Sequence, residues 1–181
     1  MSTSQFDIPV DRTSGDSVKY SPRAIQAIAG TPDAQPFWVA DMDFRSAQGI
    51  QQALAKVADS GVYGYPCNTD TEKSFIEWAR TWHHWDIDPS LVVATRGLLV
   101  SISMLVEIMT KQGEGVIVPT PAYQPFIRIT RTTERTLHTH PLIDDGNGSY
   151  TFDFPLLEQQ CSDGNTTLLI LCSPHNPFGK V

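Results

Sequence analysis

The 181-residue chain is 40% hydrophobic and 9% aromatic, which is enough to build a domain-sized core and argues against a disordered chain. Its 20 acidic and 13 basic side chains give a formal charge of -7, and no lysine- or arginine-rich run offers a track for a phosphate backbone, so nucleic acid is excluded as a partner class. Neither a leader-like start nor an apolar stretch of about 18 residues marks export or a membrane span, and three scattered cysteines without a C-x-x-C pair (Cys67, Cys161, Cys172) fit a reduced, cytoplasmic compartment.

Residues 1–45 are polar and punctuated by Pro9, Gly15, Pro22, Gly30, Pro32 and Pro36, the pattern of an irregular arm resting on another body. Ile50, Leu54 and Val57 then recur at helical spacing, predicting an amphipathic helix over 46–60 that Gly61 ends. The glycines, aromatics and proline of G-V-Y-G-Y-P at 61–66 favour a shaped loop. Thr69 with Glu72 matches a capping box, opening a helix whose face carries Phe75, Ile76, Ala79 and Trp82.

From there strands and helices alternate. L-V-V-A-T at 91–95 reads as a strand, 98–111 as a buried helix and V-I-V at 116–118 as a second strand. A helix is expected over 123–131, an extended segment over 135–141, a turn at D-D-G-N-G (144–148) and an apolar strand, covered on both faces, at 167–172. The alternation predicts an α/β fold with a mostly parallel sheet flanked by helices.

In such sheets ligands gather beyond the carboxyl ends of the strands, which singles out three places. Gly97 leaves one predicted strand and opens a helix, where free N–H groups and the positive end of the helix dipole suit a phosphate. Tyr123, set between prolines in P-T-P-A-Y-Q-P-F, suits stacking on a planar heterocycle. Asn176, in C-S-P-H-N-P-F-G-K, can offer an amide hydrogen bond from a constrained loop. Taken singly, each also reads as an ordinary turn or loop. His138 and His140, two apart on an expected strand, have no third ligand at a suitable spacing, so no metal site is expected. Asp86 and Asp88 beside Pro89 read as a helix-end turn, and the adjacent His83 and His84 as solvent-facing.

W-V-A-D-M-D-F at 38–44, G-V-Y-G-Y at 61–65, the turn at Gly97, G-E-G-V-I-V-P-T-P-A-Y at 113–123 and L-C-S-P-H-N-P-F-G-K-V at 171–181 occur in the order found in fold-type I pyridoxal-phosphate (PLP) enzymes. The sequence resembles the cystathionine β-lyase-like C–S lyase branch of the class I/II aminotransferase superfamily, over its amino-terminal half. The resemblance implies the aspartate aminotransferase-like PLP-dependent transferase fold. Residues 1–60 would be the arm and first helix, part of the small domain, and 61–181 the first part of the large cofactor-binding domain.

It also implies that the backbone of Gly97, Leu98 and Leu99 holds the cofactor phosphate, that Tyr123 stacks on the pyridine ring and that Asn176 bonds its 3-oxygen. Tyr65 would reach the phosphate of a neighbouring subunit in a homodimer, and Val39, Ala40 and Asp41 would lie near the carboxylate of an amino-acid substrate. Arg96, V-S-I-S at 100–103 and Phe178 depart from the branch pattern.

By the same resemblance no catalytic residue lies within the chain, the Schiff-base lysine being expected beyond Val181; Lys19, Lys56, Lys73, Lys111 and Lys180 all lack its serine-rich strand-end setting. The implied activity of the whole enzyme is cleavage of S-substituted cysteines to pyruvate, ammonia and a thiol. The alternatives are a PLP-dependent aminotransferase half and a non-catalytic remnant serving binding or dimerisation. A generic nucleotide-binding domain is disfavoured, since neither G-x-G-x-x-G nor a P-loop motif is present.

Overall fold

The computed structural model describes residues 4–8, 10–13, 17–65, 67 and 69–181. Its contacts divide the chain into two units, Met1–Pro66 and Cys67–Val181.

The first unit holds two short 3-10 turns, Gln5–Asp7 and Val18–Tyr20, and two helices, α1 (Pro22–Ala29) and α2 (Gln48–Ser60). The arm is thus less irregular than its composition predicts. Ser21 caps α1 through its side chain, Pro22 opens it and Gly30 ends it in the left-handed conformation, three signals present in the sequence and obscured by the surrounding prolines. Pro9, Gly15 and Pro66, which entered the sequence reading, lie outside the described residues. Helix α2 ends at Gly61 as expected, yet its apolar residues Ile50, Leu54 and Val57 are all exposed.

The second unit runs α3 (Thr69–His83), α4 (Leu98–Met109), β1 (Gly115–Thr120), α5 (Gln124–Thr132), β2 (Thr136–Pro141), β3 (Ile143–Asp144), β4 (Tyr150–Thr151), α6 (Phe154–Ser162) and β5 (Thr166–Leu169). The strands β1, β2 and β5 form a parallel sheet in the order β2-β1-β5, while β3 and β4 form an antiparallel hairpin over the predicted D-D-G-N-G turn. Asp145 closes that turn by accepting from the backbone N–H groups of Asn147 and Ser149.

Strand β1 is the centre of the sheet, and Val116, Ile117 and Val118 are almost completely buried. Its unbroken apolar run follows from having both faces covered. Val116 and Val118 form a cluster with Phe126 of α5, against which Leu99 and Ile102 of α4 and Leu168 of β5 pack. Each such side chain contributes about 1.5–3 kcal/mol on full burial.

Several expectations are corrected. Residues 91–95 form no strand: Leu91 ends a 3-10 turn, Pro89–Leu91, and because a strand is stabilised only by a ladder, 92–95, without a pairing partner among the described residues, leave Val93 largely exposed. Helix α4 is present but not buried, since only Val106 is fully covered while Leu98, Met104, Leu105 and Ile108 face outward. Strand β5 stops at Leu169 and alternates between partly buried and exposed positions, so one of its faces is open. Helix α3 begins at Thr69 itself, so Thr69 is the first helical residue and not the cap before it; Ile76 and Ala79 are buried, while Phe75 and Trp82 are exposed. Helix α6 was not anticipated; Asp153 caps it by accepting from the Leu156 N–H, with Pro155 in its first turn.

Candidate functional site

The parallel sheet fixes where the candidate residues emerge. Tyr123 follows the carboxyl end of β1 and Asn176 follows that of β5, and because these strands are parallel neighbours, both loops leave the same edge of the sheet. Tyr123 is the residue before α5, half-exposed, with its ring edge-on to Phe126 at 5.5 Å. Asn176 is exposed, in a loop where Ser173–Pro174 and Asn176–Pro177 are cis, as is Thr120–Pro121 ahead of Tyr123.

Gly97 caps α4 with φ +136° and ψ 149°, a conformation that side-chain-bearing residues rarely adopt. Its carbonyl accepts from the N–H groups of Val100 and Ser101, leaving the Leu98 and Leu99 amides in the first turn, where no helical acceptor exists for them. Thr95 and Ser101 join hydroxyls at 2.7 Å and brace the turn around Gly97. One apolar cluster gathers the three places: Leu99, Ala122 and Cys172, each within four residues of Gly97, Tyr123 or Asn176, pack against Val116, Val118 and Phe126.

The residue that sequence reasoning missed is His175. It is buried, its Nε2 lies 2.9 Å from the Pro121 carbonyl, and its backbone closes the loop through His175 N–H to Lys180 O at 2.7 Å and Gly179 N–H to His175 O at 2.6 Å. Phe178, a departure from the branch pattern, stacks on Tyr150 with ring centroids 3.5 Å apart and lies 5.7 Å from the His175 ring. Burial, followed by the nearby Asp144 charge, raises the Tyr150 phenol above its ordinary pKa. A cavity of about 380 Å³ under α3 contains none of the candidate residues. A more apolar one of about 340 Å³ lies between the hairpin and the last loop, lined by Tyr150, Phe152, Cys172, His175 and Lys180 among others.

His138 and His140 do point to one side of β2, but to separate partners. His140 is fully buried with Nδ1 2.8 Å from Gln160 Oε1, whereas His138 Nε2 lies 3.9 Å from Asp163. Among the described residues no group of three His, Cys, Asp or Glu side chains is placed to hold a metal ion, and no helix is long and apolar enough to cross a membrane.

In the first unit, Val39 is half-buried, Ala40 exposed and Tyr65 fully exposed. Asp41 is engaged by the arm: its carboxylate accepts from Arg12 at 2.7 Å and from Ser17 at 2.9 Å, which holds its pKa below the ordinary value of 3.8. Asp43 is held down likewise by Lys19 at 2.8 Å and Tyr20 at 2.7 Å, and buried Lys19 also donates to the Asp41 carbonyl. Arg12, Ser17, Lys19 and Tyr20 thereby fasten the first part of the arm to the W-V-A-D-M-D-F segment at the arm's own end.

The family model described as aminotransferase class I and II matches residues 41–181. The chain belongs to this family. Among curated relatives, cystathionine beta-lyase PatB of Bacillus subtilis is 36% identical over 176 residues, 97% of this chain and 45% of the relative. Cystalysin of Treponema denticola, solved with pyridoxal 5'-phosphate, is 32% identical with a TM-score of 0.82, over 95% of this chain and 44% of that one. A PLP-bound protein of Clostridium difficile 630, provisionally assigned as an aminotransferase, is 32% identical with a TM-score of 0.86, over 97% and 44%. The chain therefore has the fold of the PLP-dependent family members and spans less than half the length of the curated relatives it matches.

Proposed function

We propose that this chain is the cofactor-cradling, amino-terminal part of a PLP-dependent C–S β-lyase. The observation that carries the reading is the gathering of the Gly97, Tyr123 and Asn176 segments by one apolar cluster, with two of them at the same sheet edge. The residues fit the group: the Leu98 and Leu99 amides beside an exposed Gly97 suit a phosphate, a half-exposed Tyr123 ring suits a pyridine face, and an exposed Asn176 amide suits the ring's 3-oxygen.

When bound, PLP supplies an electron sink for the substrate α-carbon. The chain's own residues orient the ring and neutralise its phosphate. Tyr65 reaches the phosphate from a second subunit of a homodimer, and the Val39–Asp41 backbone lies beside the substrate carboxylate. The substrate is an S-substituted cysteine such as cystathionine, and the setting is cytoplasmic.

The catalytic lysine is supplied from outside these 181 residues, so the chain alone gives no turnover. In support, Lys19 is already engaged with Asp43, and none of the other four lysines adjoins Gly97 or Tyr123 in sequence. The family's breadth favours aminotransfer as the second reading; in a protein of the relatives' full length carrying this segment, an S-substituted cysteine gives pyruvate, ammonia and a thiol in the first case and a sulfur-containing keto acid in the second.

Pyridoxamine 5'-phosphate has no carbonyl to trap and reports on the cradle alone. Fluorescence titration of the 181-residue chain is expected to show saturable binding, abolished by Gly97→Val and weakened about tenfold or more by Asn176→Ala. Absence of binding, or unchanged binding in both variants, overturns the reading and favours a non-catalytic remnant. Borohydride treatment with PLP is expected to fix no cofactor stoichiometrically to any of the five lysines, and a single labelled lysine contradicts the missing anchor.

A further inference from the structure

We infer that His175 is a positioning residue: its buried imidazole ties the loop carrying Asn176 to the loop carrying Tyr123 and thereby sets the distance between them. The two loops are 54 positions apart in sequence and are joined by a hydrogen bond of 2.9 Å from His175 Nε2 to the Pro121 carbonyl. A carbonyl only accepts, so Nε2 carries the proton and donates, which fixes the tautomer of the neutral ring.

The bond acts over short levers on both sides. Pro121 is two residues from Tyr123, and Asn176 is the next residue after His175. The loop cannot easily pivot about its own end either, because the His175 N–H is bonded to the Lys180 carbonyl and the His175 carbonyl to the Gly179 N–H. Phe178 flanks the ring, itself held against Tyr150 of the hairpin. His175 therefore sits in a closed loop with one donor directed outward, to the strand-end loop next door.

That Tyr123 and Asn176 act on one cofactor rests on the proposed function; the tie between their loops does not. Two measurements keep these apart. In the unliganded chain, nitrogen-15 NMR is expected to show His175 protonated on Nε2 and, in His175→Phe, displaced signals for the Tyr123 backbone amide and the Asn176 side-chain amide. In His175→Gln, whose amide nitrogen replaces Nε2 as donor, both signals are expected near their wild-type positions. Retained Val116 and Val118 methyl signals serve to show that the sheet is intact. An Nε2 without a proton in the wild type, or signals equally placed in the Phe and Gln variants, overturns the inference.

The second measurement is affinity for pyridoxamine 5'-phosphate, expected to fall about tenfold in His175→Phe and to stay within about twofold of wild type in His175→Gln. Equal affinities for the two variants refute the positioning role. Wild-type chain that binds nothing refutes the cofactor reading, while the NMR result still decides whether His175 ties the loops.

Discussion

Gly115 starts β1 beneath two side chains. A Cβ at that position would stand 2.6 Å from Cδ2 and Nε2 of His138 and 2.7 Å from the Thr166 hydroxyl. Glycine is required there by close approach and not by its backbone angles. Gly115→Ala is expected to cost about 1–3 kcal/mol by overpacking, read as a lower denaturant midpoint with an unchanged slope. An alanine variant as stable as wild type would show that His138 swings away freely. The sequence makes Gly97, Tyr123 and Asn176 visible because each sits at a junction with its own local signal. It says nothing of why Gly115 is glycine or what His175 holds, since those partners lie 23 and 54 positions away and only the parallel sheet brings them together.

Elements whose partners lie close in the chain are fully legible, and those with distant ones only in part: β5 occurs in the apolar segment at 167–172 but ends at Leu169. Strand β1, helix α5, strand β2 and the hairpin turn follow one another and occur where the pattern places them. Residues 92–95 have as apolar a composition as β1 but no neighbour to pair with among the described residues, so composition alone misleads. The arm is the opposite case: its composition suggests irregularity, yet Arg12, Ser17, Lys19 and Tyr20 fasten its first part to Asp41 and Asp43 near its end. Both carboxyls titrate below their ordinary value of 3.8, so the network's contribution is fully present above that pH and is lost as pH falls through the lowered values. The Trp38 indole donates to the Lys19 carbonyl at 3.3 Å and offers a probe. Its N–H is expected to exchange slowly near neutrality and faster as pH falls through the lowered carboxyl values, and Asp41→Asn is expected to speed exchange across the whole range. An exchange rate that follows only the intrinsic chemistry of the indole would contradict this.

At the scale of the whole molecule, the apolar faces outnumber the surfaces that cover them. Leu98, Met104, Leu105 and Ile108 of α4, Leu169 and Leu171 at the β5 end, and Ile50, Leu54 and Val57 of α2 are all exposed. The sequence predicts these residues as core, and the hydrophobic periodicity that suggests it is correct; periodicity identifies an apolar face without supplying what packs on it. The isolated chain is expected to bind the dye ANS and to self-associate increasingly with concentration in size-exclusion chromatography. A single sharp monomer peak without dye binding would count against that expectation.

The strand order β2-β1-β5 also has a temporal consequence. Joining β1 to β2 closes a loop of about 21 residues, whereas joining β1 to β5 closes one of about 52, an entropic difference of about 0.8 kcal/mol by (3/2)RT ln n scaling. During synthesis, moreover, β1, α5 and β2 are complete before β5 has been made. The Tyr123 side of the proposed cradle is therefore ready early and waits for the Asn176 side, which makes docking of the last strand and its histidine the step at which the two loops are first set in register.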